Sequence, residues 1–218
     1  MRILGVDEAG RGAVLGPLVV AGVLLDSSNV SKLAEIGVKD SKKLSPSRRE
    51  ELSAEILEVA EYVVVLQAPS QTLDCEMSLY SLNVLEAKLF AMIIDALKPD
   101  SVIVDSPDEN VERFASYIHQ FSLCKPSITA ETKADEKYLP VSAASIIAKV
   151  ARDKIIQRLS ARYGEVGSGY SSDPVTRSFL RRWIEENRDL PPIARRKWKT
   201  SQDMLASVRQ GRLEFSDH

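Results

Sequence analysis

Residues 2–7 and 18–25 form two short, almost unbroken apolar runs separated by Gly16-Pro17. That pattern predicts two buried strands. Ser45-Pro46 then supplies a cap residue followed by proline at the first helical position. The helix it opens is expected to run to about residue 59, with Leu52, Ile56 and Val59 on one face. Residues 61–66 switch to a Tyr-Val-Val-Val strand core. Leu79, Leu82, Leu85, Leu89, Met92 and Ala96 recur at helical spacing and predict a long amphipathic helix. A short strand over 101–105 ends on an acid, and 127–130 reads as another. Val141, Ala144, Ala148, Ala151, Ile155 and Leu159 mark a second long helix whose small residues suit close packing. Asp173-Pro174 opens a third, carrying Phe179, Leu180 and Trp183, and Leu190-Pro191-Pro192 breaks the chain. Strands gather early and helices late. The fold class expected is therefore α/β, a mixed sheet flanked by helices with a small helical C-terminal part. The domain division expected is 1–190 and 191–218. No internal repeat or low-complexity stretch interrupts this reading.

Composition narrows it. The chain has 218 residues, 44% hydrophobic, enough for a true core in one domain of ordinary size. Lys and Arg number 29 against 31 Asp and Glu, a net charge of -2, so a non-specific polyanion binder is excluded. Any nucleic-acid contact must come from a local basic patch. Cys75 and Cys124 lack the spacing of a zinc site or disulfide framework, which fits a reducing cytoplasm. No signal-peptide pattern opens the chain and no apolar run approaches ~18 residues, so no membrane association is expected.

The chemistry concentrates where the first strand stops. Asp7 and Glu8 are adjacent carboxylates directly after a buried run, and Gly10-Arg11-Gly12 follows. Two neighbouring acids repel unless a cation sits between them. A Gly-Arg-Gly turn offers bare backbone and positive charge to an anion. Asp105 ends the next strand, and in open α/β sheets ligands gather at strand carboxyl ends. Asp135 follows a Thr-Lys-Ala segment before a helix, though Asp100, Asp108, Glu109, Glu131 and Glu136 compete with these positions and periodicity does not separate them. Oxygen ligands select Mg²⁺ or Mn²⁺ over zinc. Elsewhere, Lys42 lies in an Asp-Ser-Lys-Lys loop, Tyr170 is displayed on a glycine turn, and Lys149 and Arg152 share a helix face. Arg195, Arg196, Lys197 and Lys199, with Trp198 among them, form the densest basic run and are candidate duplex contacts. His119 is isolated and reads as structural or surface.

Five segments in order resemble the ribonuclease HII family, its archaeal branch most closely. They are Gly5-Val6-Asp7-Glu8-Ala9-Gly10-Arg11-Gly12, Asp40-Ser41-Lys42-Lys43-Leu44, Val104-Asp105, Lys133-Ala134-Asp135 with the 141–149 stretch, and Gly167-Ser168-Gly169-Tyr170 with Ser172-Asp173-Pro174. The resemblance covers about residues 1–200. It implies a ribonuclease H-like five-stranded sheet and hydrolysis of RNA in RNA–DNA hybrids. It further implies incision 5′ to single ribonucleotides in duplex DNA, leaving 3′-hydroxyl and 5′-phosphate ends, with roles in primer removal and ribonucleotide excision repair. The family's four acids fall on Asp7, Glu8, Asp105 and Asp135, with two metal ions held among them. Gly10, Arg11 and Gly12 are placed at the target 2′-hydroxyl, Tyr170 under the neighbouring deoxyribose, and Lys42, Ser142, Lys149 and Arg152 among the substrate contacts. Two positions depart from the family pattern: Ala13 and Ser171 stand where proline is usual, so looser recognition loops are expected.

Two rivals remain at this level. The opening strand is also similar to that of sugar-kinase and actin-like phosphotransferases, although their later glycine-rich phosphate loops are missing. A non-catalytic hybrid-binding module is the other. The segment Gln210 to Phe215 partly resembles a sliding-clamp-binding motif, with one aromatic and short spacing. A monomer is expected.

Overall fold

The computed structural model describes residues 1–38 and 44–213, with side chains described to residue 208. The Asp40–Lys43 loop, including Lys42, and the side chains of the 210–215 motif lie outside the described residues. The chain divides into two compact units, each built from segments distant in sequence.

The first unit comprises residues 1–9, 19–67 and 80–151. Its centre is a five-stranded sheet in the order β3 (Tyr62–Ala68), β2 (Leu18–Asp26), β1 (Arg2–Ala9), β4 (Ser101–Asp105), β5 (Ser127–Glu131). β1 pairs antiparallel with β2 and parallel with β4, and β4 pairs parallel with β5. The mixed sheet expected from the sequence is present. Glycines let helices close on it. A Cβ on Gly5 would lie 2.1 Å from the Pro140 carbonyl carbon, so α7 (Leu139–Tyr163) starts hard against β1. A Cβ on Gly22 would lie 2.4 Å from Ile93 of α4 (Leu82–Leu97). Gly5 pairs with Val23, not Gly22, so the two close approaches fall on opposite faces of the sheet.

The remaining helices of this unit are α1 (Val30–Glu35), α2 (Pro46–Val59), α5 (Val111–Phe121) and the single turn α6 (Ala134–Lys137). α2 starts where the Ser-Pro signal placed it, with the Ser45 hydroxyl accepting from the Arg48 amide at 3.2 Å. The stripe predicted for α4 needs correction. Leu79 precedes the helix and is 75% exposed, and Met92 is 53% exposed. The buried face is Leu85, Leu89, Phe90, Ile93, Ile94 and Leu97, with Phe90 meeting Phe114 of α5 edge-on at 5.5 Å. α1, α5 and α6 were not anticipated.

The second unit comprises residues 10–18, 68–79 and 152–218. It holds α3 (Ser70–Glu76), the later part of α7, α8 (Pro174–Asn187) and α9 (Lys199–Leu213). Its core gathers Val14, Leu15, Ile156, Val166, Phe179, Leu180, Ile184 and Leu190, with Trp183 and Trp198 packed against it. Charge is segregated. This unit's sequence carries 15 basic and 11 acidic residues, net +4, whereas the first carries 14 and 20, net −6. Among the described residues no helix is long and apolar enough to cross a membrane.

Candidate active site

In the first unit the acids converge through strand register. Val6 pairs with Val104 across the parallel β1–β4 ladder, so Asp7 and Asp105 are the next residues along neighbouring strands that run the same way. β4 pairs with β5, and the turn after β5 brings in α6. The Ala134 amide donates to Asp105 Oδ1 at 2.7 Å, which ties Asp135, one residue on, to the end of β4. Lys133 makes that turn with φ 57°, the left-handed region. Asp7 and Asp135 are both buried.

Asp7 is held against its own chemistry. It is 4% exposed, and its Oδ1 accepts the Glu8 amide at 2.7 Å. Burial, then the Glu8 charge, push its carboxyl well above the usual range, with Asp105 adding a smaller push and the Ser145 hydroxyl opposing it. Ser145 is a site-facing residue that sequence reading missed. It lies on α7, whose first turn presses on Gly5, and Gly5 shares a face with Asp7 at the strand spacing of two.

Three of the competing acids are otherwise engaged. Glu131 is bound by Lys137 and Tyr138, and both partners hold its carboxyl below the usual range. Asp108 takes a two-pronged bond from Arg113 at 2.9 and 2.7 Å. Asp100 accepts the Arg2 amide at 2.7 Å, at the opposite end of β1. Glu109 and Glu136 are exposed. Among the described residues no three His, Cys, Asp or Glu side chains form a ready-made metal cage. What favours a cation is the donor set itself: oxygen-only, and anionic charge crowded onto a buried Asp7.

Ser142 and Lys149 also lie on α7. The buried Ser142 hydroxyl donates to the Val38 carbonyl at 2.7 Å, immediately before residues 39–43, and Lys149 is half-buried.

In the second unit, the Gly10-Arg11-Gly12 turn is closed by the Ala13 amide donating to Gly10 at 3.2 Å. The chain that follows is gripped on both sides. Val14 and Leu15 amides donate to the Gly169 carbonyl at 2.8 and 3.1 Å, and Ala13 bridges Tyr170. On the other side the Arg195 amide donates to Val14 and the Gly16 amide to Ile193, each at 2.9 Å. The looseness expected from Ala13 is therefore countered locally. Ala13 is fully buried, and its amide makes the turn bond that a proline lacks.

The two turn glycines differ. Gly10 has φ +85°, and an added Cβ would lie 2.2 Å from Arg152 Nε. Gly12 is exposed, is not a positive-φ residue, and an added Cβ would meet nothing within 4 Å. Nothing among the described residues requires glycine at 12.

Tyr170 is half-buried, with the Arg152 guanidinium 4.7 Å over its ring. Arg152 is 3% exposed and donates to the Ser168 and Leu15 carbonyls at 3.2 and 3.3 Å. It supports Tyr170 from inside instead of reaching outward from a shared face with Lys149. Arg195 needs a clearer correction. Expected in an exposed basic run, it is fully buried, donating from Nε to Gly16 and from Nη1 to Arg11, both at 2.9 Å. Those two carbonyls and the Trp198 ring, 4.8 Å away, hold it inside. Arg196, Lys197 and Lys199 do bear exposed charges, in contact with Asp189, Ser78 and Asp203.

Comparisons with known proteins agree with this architecture. A model of the family "Ribonuclease HII" matches residues 4–201. A ribonuclease HII of Thermococcus sibiricus is 48% identical over 202 residues, 92% of this chain and 89% of its own. The crystal structure of ribonuclease H2 from Pyrococcus horikoshii superposes with TM-score 0.89 at 43% identity, covering 96% of this chain and 99% of that one. The ribonuclease HII in a PCNA complex from Archaeoglobus fulgidus gives 0.85 at 45% identity, covering 91% and 96%. A sheet with its acids at adjoining strand ends, matched over nearly its whole length, leaves no room for a kinase-like or non-catalytic assignment: the chain belongs to the ribonuclease HII family, endonucleases that hydrolyse RNA in RNA–DNA hybrids.

Proposed function

We propose that this protein incises duplex DNA 5′ to a single embedded ribonucleotide, as well as cutting longer hybrids, and that Asp7, Glu8, Asp105 and Asp135 do so by holding two divalent cations, Mg²⁺ or Mn²⁺. The observation that carries the reading is the buried Asp7 carboxylate, crowded by the charges of Glu8 and Asp105. Such a cluster costs stability unless cations offset it. When bound, the ions would supply an activated water and neutralise charge on the phosphate and departing 3′-oxygen. Asp7, buried beside Glu8 and Asp105, would be one of the residues holding them. The Ala134 amide orients Asp105, and the tight turn at Lys133 presents Asp135.

Selection of the cut site falls to the other residues. The backbone of Gly10-Arg11-Gly12 reads the 2′-hydroxyl, which distinguishes RNA from DNA. The vacant space beside Gly12 supports that role, since close approach of a ribose needs a position without a side chain. Tyr170 stacks on the adjacent deoxyribose. Lys42, Lys149, Arg196, Lys197 and Lys199 meet backbone phosphates. The exposed ion pairs among them are weak enough to be exchanged for phosphate. Products carry 3′-hydroxyl and 5′-phosphate ends, suited to primer removal and ribonucleotide repair in the cytoplasm. The Archaeoglobus relative's complex with PCNA supports a sliding-clamp partner, and residues 210–215 are the candidate contact.

The test is to map the cut in a duplex bearing one ribonucleotide, in Mg²⁺ and in Mn²⁺. A single incision on the 5′ side of the ribonucleotide is expected. Cleavage only within longer RNA tracts would refute the junction reading. Titrating a peptide of residues 205–218 against an archaeal clamp checks the partner, and absence of binding would remove it.

A further inference from the structure

Arg152 and Arg195 are buried cations whose hydrogen-bond acceptors are backbone carbonyls of recognition loops. Arg195 spans the carbonyls of Arg11 and Gly16, so it ties the middle of the Gly-Arg-Gly turn to the chain four residues past the turn's last glycine. Arg152 spans Leu15 and Ser168 while lying over Tyr170. Arg195 Nη2 and Arg152 Nε are buried with no hydrogen-bond partner among the described residues. Burial, then the neighbouring charge of Arg152, push Arg195 down to about 9, still cationic at neutral pH. Apolar side chains of similar volume would pack this interior at lower cost. The arrangement therefore sacrifices stability for shape: a planar fork fixes two carbonyls at a set separation, which a lysine ammonium does not.

We infer that Arg195 is a positioning residue for ribonucleotide recognition: by clamping the Arg11 and Gly16 carbonyls it holds the 10–16 segment in the one conformation that presents the Arg11-Gly12 backbone to the ribose. Trp198 seats the clamp from behind, and Arg152 does the same for Tyr170. The inference rests on the reading of Gly10-Arg11-Gly12 as the 2′-hydroxyl reader.

The experiment compares Arg195→Lys, Trp198→Leu and Gly12→Ala in the full chain. Each is assayed for kcat and KM on a duplex with one ribonucleotide, at a temperature where circular dichroism shows every variant folded. Arg195→Lys keeps the charge and loses the fork. It is expected to raise KM about tenfold with kcat within about threefold. Trp198→Leu, which loosens the seat without touching the turn, should shift KM in the same direction by about threefold, and it carries the test if the lysine variant fails to fold. A purely structural role would lower kcat through lost folded enzyme at constant KM, and that outcome overturns the inference. If Gly12→Ala raises KM and the Arg195 and Trp198 variants do not, the clamp is wrong and the reader stands. If Gly12→Ala leaves KM unchanged, the reader falls and the clamp's role falls with it.

Discussion

Gly10 and Gly12 sit two residues apart in one turn, yet alanine should affect them in opposite ways. At Gly12 the new methyl meets no heavy atom within 4 Å, and the backbone is not left-handed. Its effect on stability then comes from the unfolded chain alone, which loses freedom; Gly12→Ala should be neutral to stabilising, by up to about 1 kcal/mol. At Gly10 the φ of +85° costs ~1–2 kcal/mol for any other residue. The Cβ would also lie 2.2 Å from Arg152 Nε and 2.5 Å from its Cδ, so the guanidinium must leave the Leu15 and Ser168 carbonyls. Adding those two bonds at roughly 1 kcal/mol each puts Gly10→Ala about 3–4 kcal/mol below the parent. Activity should follow a different order. If the turn reads the ribose as proposed, the Gly12 methyl would occupy the space the ribose needs, which should cost roughly 10–100-fold in kcat/KM at a single ribonucleotide, or ~1.4–2.7 kcal/mol. Urea unfolding and cleavage of a duplex with one ribonucleotide measure the two effects separately. A Gly12→Ala protein that is markedly less stable, or that cuts the junction at the parental rate, would refute this account of the turn.

Asp7→Asn should abolish cleavage while raising the melting temperature of the metal-free protein by a few degrees, because it removes a charge buried beside Glu8 and Asp105; a lower melting temperature would contradict the assigned crowding. Mn²⁺ should raise the melting temperature of the parent and leave that of Asp7→Asn nearly unmoved, as differential scanning calorimetry can show. Arg113 holds Asp108 down to about 2, below its unfolded value, so this pair contributes stability that is full above about pH 4 and lost as pH falls towards 2. Asp108→Asn should accordingly be less stable than the parent at pH 6, and the gap should close on acidification; a pH-independent gap would show that the pair acts through packing. Ala13→Pro removes the amide that closes the turn on Gly10, so it should weaken selection of the junction by a few-fold. Sharper selection in the cut-site ratio would count against that.

Local signals were the legible part of the chain. Ser45-Pro46 and Asp173-Pro174 marked α2 and α8 because capping is decided within one turn. The apolar runs marked β1 and β2, and acids at strand ends pointed to Asp7 and Asp105. α4 was misread at Leu79 and Met92 because a periodic stripe of leucines does not reveal which face a sheet will cover. Asp135 could not be separated from Glu131 by spacing; in the folded chain Lys137 and Tyr138 occupy Glu131, a pairing made only after the turn folds. Arg195 was misplaced for a related reason. A basic run looks solvated in sequence, and the carbonyls that capture this guanidinium come from Arg11 and Gly16, nearly the whole chain away.

The strip of chain at 13–16, bonded on one side to Gly169 and on the other to 193–195, has a consequence for motion. Its amides should exchange with deuterium almost as slowly as those of the central sheet, although no regular strand is assigned there. Such a segment does not fold around a substrate. It meets the duplex already shaped, so the ordering entropy is lost during folding instead of at each encounter. Under the proposed reading, discrimination would then work as a template, rejecting sugars that do not fit without waiting for a loop to close. With the function proposed above, a ribonuclease organised this way would survey long stretches of ordinary duplex quickly, because each deoxyribose tested would require no rearrangement to be released.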